Sequence, residues 1–339
     1  MQTPIDREHP SGGHVLSNKP VVYLLVSLEE DLIDRIAETC EVRMIEPGSS
    51  MEEIRSRIGE AEGIVTSPRY GADEAFFAAA PKLKVLSTHS VGYDPFDISA
   101  ATRNGVCVCN TPGVLTAAVA NLTTALIFCL SLRLIDNERF ARTGGWARRE
   151  SAPPLGHDVQ GKTVGIVGFG RIGQEVTRRL QALGMRTIWY DVFDTPHPDA
   201  PDSEYRPLDQ LFAESDFVSL HTNLDDSSRH MIGAEELEKM KPTAFLVNTA
   251  RGPLVDQSAL FDALKAGKIA GAGLDVLESE PPAEEDPICT LQNVVCFPHI
   301  GTATEETRRL MRELAVDNCI AVLAGERPPA SVNPEVLES

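Results

Sequence analysis

An apolar run, TVGIV (163–167), passes directly into GFGRIG (168–173) and then into RIGQEVTRRLQAL, whose apolar residues recur at helical spacing. A strand, a glycine turn and a helix in that order read as consecutive elements of a parallel α/β sheet. In G-x-G-x-x-G, Gly168 permits the tight turn and Gly170 lets the backbone approach a pyrophosphate. Gly173 lets the helix pack closely on the strand. The helix N-terminus then favours phosphate charge. Glycines often just make turns, so the flanking strand and helix carry the inference that a dinucleotide binds here.

Strand-like and helix-like segments alternate through the rest of the chain. VVYLLVSL, VRMIE, GIVTS, LKVLSTHS and VCVCNT form a first set, each of the first four followed by helical spacing. A long helical stretch is expected from about Thr116 to Arg142, then a loop-rich connection through GGW (144–146) and SAPPLGH (151–157). The second set comprises TVGIVGFG, MRTIWYD, DFVSLHT, AFLVNTA, IAGAGLDV and VVCFPHIG. The fold expected is α/β, with two Rossmann-like doubly wound parallel-sheet domains. Helical spacing over Glu305–Ala324 comes after the second set is complete. It is expected to return to the first domain and make that domain discontinuous.

Asp191 ends WYD. A carboxylate there can accept hydrogen bonds from ribose hydroxyls and repel a 2′-phosphate. No cation follows in VFDTPHPD, and Asp194 adds negative charge, so NAD(H) is expected over NADP(H).

Three strand ends carry chemistry. Arg251 closes NTAR before Gly252-Pro253 turns the chain away, and its planar fork suits a carboxylate. His299, in FPHIG, is an acid/base suited to neutral pH. Glu280, in LESEPP, can fix the His299 tautomer and raise its pKa; Glu278 competes for that place. Asp275, in GLDV, is placed to orient a nicotinamide carboxamide. His89 and His221 also stand at strand ends. Ser90-Val91-Gly92, after LKVLSTH, can offer backbone N–H groups to an anion. These placements put the site in the cleft between the two domains. A lone arginine or histidine is more often structural; three such groups beside a dinucleotide turn point to hydride transfer on a 2-hydroxy acid.

A formal charge of −19 argues against nucleic acid or an anionic membrane as a partner. Seven scattered cysteines without metal spacing read as buried thiols of a reduced, cytoplasmic protein, with no metal expected. Residues 1–19 lack an apolar core and read as a mobile tail. Ala117–Leu134 is short and too polar for a membrane span.

Taken together, SVGYD (90–94), NTPGVLT (110–116), GFGRIG, Asp191, NTARG, the LDV…EP segment and PHIG resemble the D-isomer-specific 2-hydroxyacid dehydrogenase family, over about residues 20–335. SVGYD with TPGVLT is most similar to its glyoxylate/hydroxypyruvate reductase branch. The resemblance implies a substrate-binding domain at 20–115 plus 302–335. It also implies an NAD-binding domain at 116–301, and a homodimer built through 116–150. It makes Arg251, Glu280 and His299 catalytic, with Ser90, Val91 and Gly92 binding substrate beside Arg251 and His299. The cofactor site would draw on Thr116, Gly168, Gly170, Arg171, Ile172, Gly173, Asp191, His221, Thr222, Thr249, Ala250, Arg251, Asp275, His299 and Gly301. Three departures are Asn223 in HTNL in place of proline, Asn121 in place of glutamate, and Thr302 in place of serine. GGW with Arg149 could reach a partner subunit's site.

The expected function is NADH-dependent reduction of small 2-keto acids, glyoxylate or hydroxypyruvate foremost. D-3-phosphoglycerate dehydrogenase is an alternative, with Arg69 one candidate cation. A NAD-sensing corepressor-like protein is an alternative of another class.

Overall fold

The computed structural model describes residues 19–192 and 202–338. The tail expected at 1–19 therefore lies, but for Lys19, outside the described residues, as does Asp194. Two compact units are present: residues up to Thr111 with those from Arg312 onward, and Pro112–Met311. The boundary falls inside the closing helix, ten residues beyond the 301/302 junction expected above.

The first unit holds five parallel strands, β1 (Val21–Leu24), β2 (Glu41–Met44), β3 (Gly63–Thr66), β4 (Val85–Thr88) and β5 (Cys107–Cys109), in the order β2-β1-β3-β4-β5. The helices between them are α1 (Glu30–Thr39), α2 (Met51–Arg57), α3 (Glu74–Ala79) and α4 (Ile98–Arg103). Three of these start on a side-chain cap: Ser50, Asp73 and Asp97 accept the N–H of Glu53, Phe76 and Ala100. Such caps fix where each helix leaves its strand. The C-terminal residues complete this unit. Ala315, Val316 and Cys319 are buried with Val22, Leu24, Val65 and Val85 in one core. Asn333, 1 % exposed, spans the free edge of β5 by accepting the Val108 N–H and donating to the Val106 carbonyl.

The second unit opens with α5 (Thr116–Ser131), α6 (Leu134–Arg142) and α7 (Gly145–Arg148). The single helix expected over 116–142 is thus two, bent by 67°. Arg133 causes the break: it adopts φ 52°, a left-handed conformation that stops the ladder without glycine or proline. Among the described residues no single helix is long and apolar enough to cross a membrane.

Strand β6 (Thr163–Val167) leads into α8 (Arg171–Ala182), then β7 (Arg186–Tyr190), β8 (Glu204–Tyr205), α9 (Leu208–Glu214), β9 (Phe217–Leu220) and α10 (Ala234–Lys239). β10 (Phe245–Asn248), α11 (Gln257–Lys265), β11 (Gly271–Leu274), β12 (Val294–Cys296) and α12 (Glu305–Leu323) follow. Seven parallel strands lie in the order β12-β11-β10-β9-β6-β7-β8. On one face α5 and α8 bury Leu126, Ile127, Val176 and Leu180 against Ile166, Phe217 and Val247. On the other, Phe212, Leu237 and Leu260 pack on Ile188, Val218 and Leu246. A sheet covered on both faces explains why its strands read as continuous apolar runs. It also leaves the strand ends as the place where polar groups meet solvent.

Candidate active site

The dinucleotide turn sits at the carboxyl end of β6, the inner strand where the sheet reverses its order. Crevices for ligands lie at such reversals. Gly168 has φ +93°, and a Cβ there would come within 2.6 Å of the His221 and Thr222 backbone. A Cβ on Gly173 would lie 2.2 Å from the Gly168 carbonyl oxygen. Both glycines are therefore required by packing. Gly170 differs: it is exposed, and an ideal Cβ would have no heavy atom within 4 Å. It offers open backbone at the start of α8, where the first N–H groups of a helix have no intrahelical acceptor. The turn fits a pyrophosphate. Asp191, directly after β7, accepts the Phe169 N–H on Oδ2 at 2.7 Å, which holds its carboxylate against the turn.

His221, directly after β9, bonds Ser219 Oγ through Nε2 at 2.8 Å. Burial pushes its pKa down to about 3, so the ring is neutral at physiological pH. Thr249 Oγ1 lies 2.9 Å from Thr123 Oγ1 on α5, and the Ala250 N–H donates to Asn248 Oδ1. Thr116 is the first residue of α5, and Arg171 and Ile172 begin α8.

Arg251, Glu280 and His299 come from the ends of three adjacent strands, β10, β11 and β12. The Asn248 side chain donates to the Arg251 carbonyl at 2.8 Å, which fixes the turn carrying the guanidinium. Arg251 Nη1 donates to the Ala250 carbonyl at 2.7 Å. Glu280 Oε2 lies 2.6 Å from His299 Nδ1, and Glu280 Oε1 accepts the Leu277 N–H at 3.0 Å. Glu278, the competing candidate, instead lies 2.7 Å from His230. The Glu280 hydrogen bond raises the His299 pKa against the opposing effect of burial. For Glu280, burial pushes the pKa up, but the bond and charge of His299, the Leu277 N–H and the charge of Arg251 outweigh it. The carboxylate stays ionised and the imidazole holds a proton more readily than an ordinary histidine.

Asp275 is 1 % exposed. Its two carboxylate oxygens accept the N–H groups of Ile300 (2.7 Å) and Gly301 (2.8 Å), and its carbonyl accepts that of His299 (2.9 Å). The turn it holds places His299 at φ 54°, a left-handed conformation unusual for a residue with a Cβ. Sequence reading missed this strain, since histidine does not announce it.

Ser90, Val91 and Gly92 belong to the other unit, just after β4. Ser90 and Val91 present their carbonyls to the Thr111 N–H and the Asn110 amide, both at 2.9 Å. Among the described residues, neither the Val91 nor the Gly92 N–H has an intrachain acceptor. Asn121 accepts from Arg179 at 3.1 Å, which ties α5 to α8. Among the described residues no group of three His, Cys, Asp or Glu side chains could hold a metal ion. A cavity of about 250 Å³ opens instead at the amino ends of the strands, beside Phe245, Asn293 and Val294, and none of the site residues lines it.

Residues 124–301 match the D-isomer specific 2-hydroxyacid dehydrogenase, NAD binding domain. The chain belongs to the D-isomer-specific 2-hydroxyacid dehydrogenase family. It is 43 % identical over 324 residues to a glyoxylate reductase of Korarchaeum cryptofilum, covering 94 % of this chain and 98 % of that one. A solved glyoxylate reductase from Paecilomyes thermophila superposes with a TM-score of 0.87 at 30 % identity, covering 94 % and 99 %. An NADPH-dependent glyoxylate/hydroxypyruvate reductase from Sinorhizobium meliloti gives 0.84 at 32 %, covering 93 % and 97 %. The expected family and the two parallel-sheet α/β domains are thus found, and a nicotinamide cofactor follows from the family.

Proposed function

We propose that this oxidoreductase reduces small 2-keto acids, glyoxylate or hydroxypyruvate foremost, to D-2-hydroxy acids with NADH. The observation that carries the reading is the 2.6 Å contact between Glu280 and His299 beside Arg251. Nicotinamide, when bound, supplies hydride to the carbonyl carbon. Arg251 holds the substrate carboxylate by paired N–H donation and polarises the adjacent carbonyl. His299 Nδ1 is committed to Glu280, so Nε2 carries the proton delivered to the developing alkoxide. Asp275 orients the nicotinamide carboxamide, and the N–H groups of Val91 and Gly92 are available to an anion.

Asp191 supports NADH, because its carboxylate repels a 2′-phosphate. The relatives named glyoxylate reductase support the substrate. A homodimer through 116–150 is supported by exposed apolar side chains there, Leu134 at 43 % and Trp146 at 76 %. A reducing, cytoplasmic setting is supported by seven unpaired cysteines.

The test is reduced-nicotinamide consumption with glyoxylate, hydroxypyruvate, phosphohydroxypyruvate, pyruvate and 2-ketogluconate, each with NADH and with NADPH. Fast turnover of either of the first two with NADH is expected. Preference for phosphohydroxypyruvate would move the protein to the phosphoglycerate reaction. Silence on all five, with NADH binding intact, would leave a nucleotide-sensing protein.

A further inference from the structure

The segment ESEP carries two carboxylates, and they engage two different histidines. Glu280 serves His299. Glu278, two residues earlier, lies 2.7 Å from His230 Nε2. His230 belongs to the connection between β9 and α10. Its N–H donates to the Pro253 carbonyl at 2.8 Å, and two residues on Ile232 donates to Leu254 at 3.1 Å. His230 is thus attached at its backbone to the turn that follows Arg251, and at its ring to the loop that carries Glu280.

Two further observations tighten this arrangement. Gly252, next to Arg251, lies so close to the second loop that a Cβ would stand 1.8 Å from the Leu277 carbonyl oxygen. Gln257, at the start of α11, accepts the Glu278 N–H at 3.0 Å while its own N–H donates to Glu278 Oε2 at 3.3 Å. His230 itself adopts φ 53°. A left-handed conformation with a Cβ persists where the surroundings over-determine it, and it occurs most often at functional sites.

Building on the dehydrogenase reading, we propose that His230 and Glu278 are positioning residues. Their contact clamps the Arg251 turn to the Glu280 loop and so sets the distance between the guanidinium and the Glu280–His299 pair. The two side chains are 42 % and 36 % exposed. A contact that open adds little to global stability. Its effect is geometric, and geometry is what catalysis feels, since a displacement of about 1 Å can cost roughly 10²-fold in rate.

The experiment compares His230→Ala, His230→Gln and Glu278→Ala in the full chain. It reads the His299 imidazole titration by NMR without substrate, thermal melting, and kcat and KM for the keto acid. In His230→Ala the clamp predicts that His299 titrates nearer the ordinary imidazole value and that kcat falls about tenfold. This direction is diagnostic: the Glu278 charge left unpaired would by itself push His299 upward. His230→Gln, which keeps a donor, restores both readouts. Glu278→Ala loosens the same loop from the other side and gives the answer should His230→Ala fold poorly. A folded His230→Ala with unchanged His299 titration and unchanged kcat overturns the clamp. If the unmodified protein reduces no keto acid, the functional reading falls, while the His299 titration still judges the clamp.

Discussion

Asp275 holds the backbone of His299 in a left-handed conformation. Its carbonyl takes the His299 N–H, and its carboxylate takes the next two N–H groups along the turn. Asp275→Asn replaces one of those acceptors with a donor facing an N–H. Leaving a buried donor unsatisfied costs about 1–3 kcal/mol, and urea unfolding should show a loss of that size. Relaxation of the turn should lower kcat as well. A variant that loses stability and keeps full kcat would detach Asp275 from the placing of His299.

In the proposed mechanism reduction uses the protonated imidazole, and Glu280 raises the His299 pKa. The rate should therefore be flat at low pH and fall as pH rises through the raised value. In Glu280→Gln that fall moves to lower pH, toward the ordinary imidazole value of about 6.5. His299→Ala should lose at least ~10²-fold in kcat at neutral pH. The folding linkage has the same sign: stability from this pair is full below the unfolded imidazole pKa and is lost as pH rises through the folded one. His221 does not produce the limb, because with a pKa near 3 it is neutral throughout the range. A pH–rate profile of Glu280→Gln that overlays the unmodified protein would remove Glu280 from its role.

Much of this molecule is legible in its sequence. Alternating runs give the two parallel sheets because a strand buried on both faces must be apolar throughout, and a helix must keep its apolar stripe. Arg251 and His299 stood out because each follows an apolar run, the place where a parallel sheet exposes polar groups. What stayed hidden lies in conformations that composition does not encode. Arg133 breaks a helix at φ 52°, while His230 and His299 turn left-handed where glycine would be the ordinary choice. The partners of Glu278 and Glu280 depend on side-chain direction in a loop, and two acids two residues apart look alike in a sequence. The strand Glu204–Tyr205 is two exposed residues at a sheet edge, too short to leave a pattern.

Gly170 and Gly173 of the dinucleotide turn should respond differently to alanine. Gly173→Ala drives a Cβ to 2.2 Å from the Gly168 carbonyl, so helix and strand must part. Overpacking of this kind costs about 1–3 kcal/mol. Gly170→Ala meets nothing within 4 Å. The fold should tolerate it, while the methyl group occupies the backbone surface that a pyrophosphate approaches. Melting curves and NADH titrations should therefore dissociate: Gly173→Ala loses stability, and Gly170→Ala keeps stability but binds NADH more weakly. Equal NADH affinity for Gly170→Ala and the unmodified protein would place the phosphates elsewhere.

Asp191 carries two functions that substitutions can separate. Its Oδ2 accepts the Phe169 N–H at 2.7 Å and so shapes the turn. In the proposed reading its charge also disfavours a 2′-phosphate. Asp191→Asn keeps an acceptor for Phe169 and removes the charge; Asp191→Ala removes both. If charge sets the preference, both variants should move the NADH-to-NADPH ratio of kcat/KM toward NADPH by at least roughly tenfold, about 1.4 kcal/mol. If the turn matters separately, only Asp191→Ala should also weaken binding of both cofactors. An Asn variant with the preference of the unmodified protein would show that cofactor choice rests on something other than this carboxylate. The Sinorhizobium meliloti relative, at 32 % identity, is NADPH-dependent, so the alternative cofactor is used among the proteins this chain resembles.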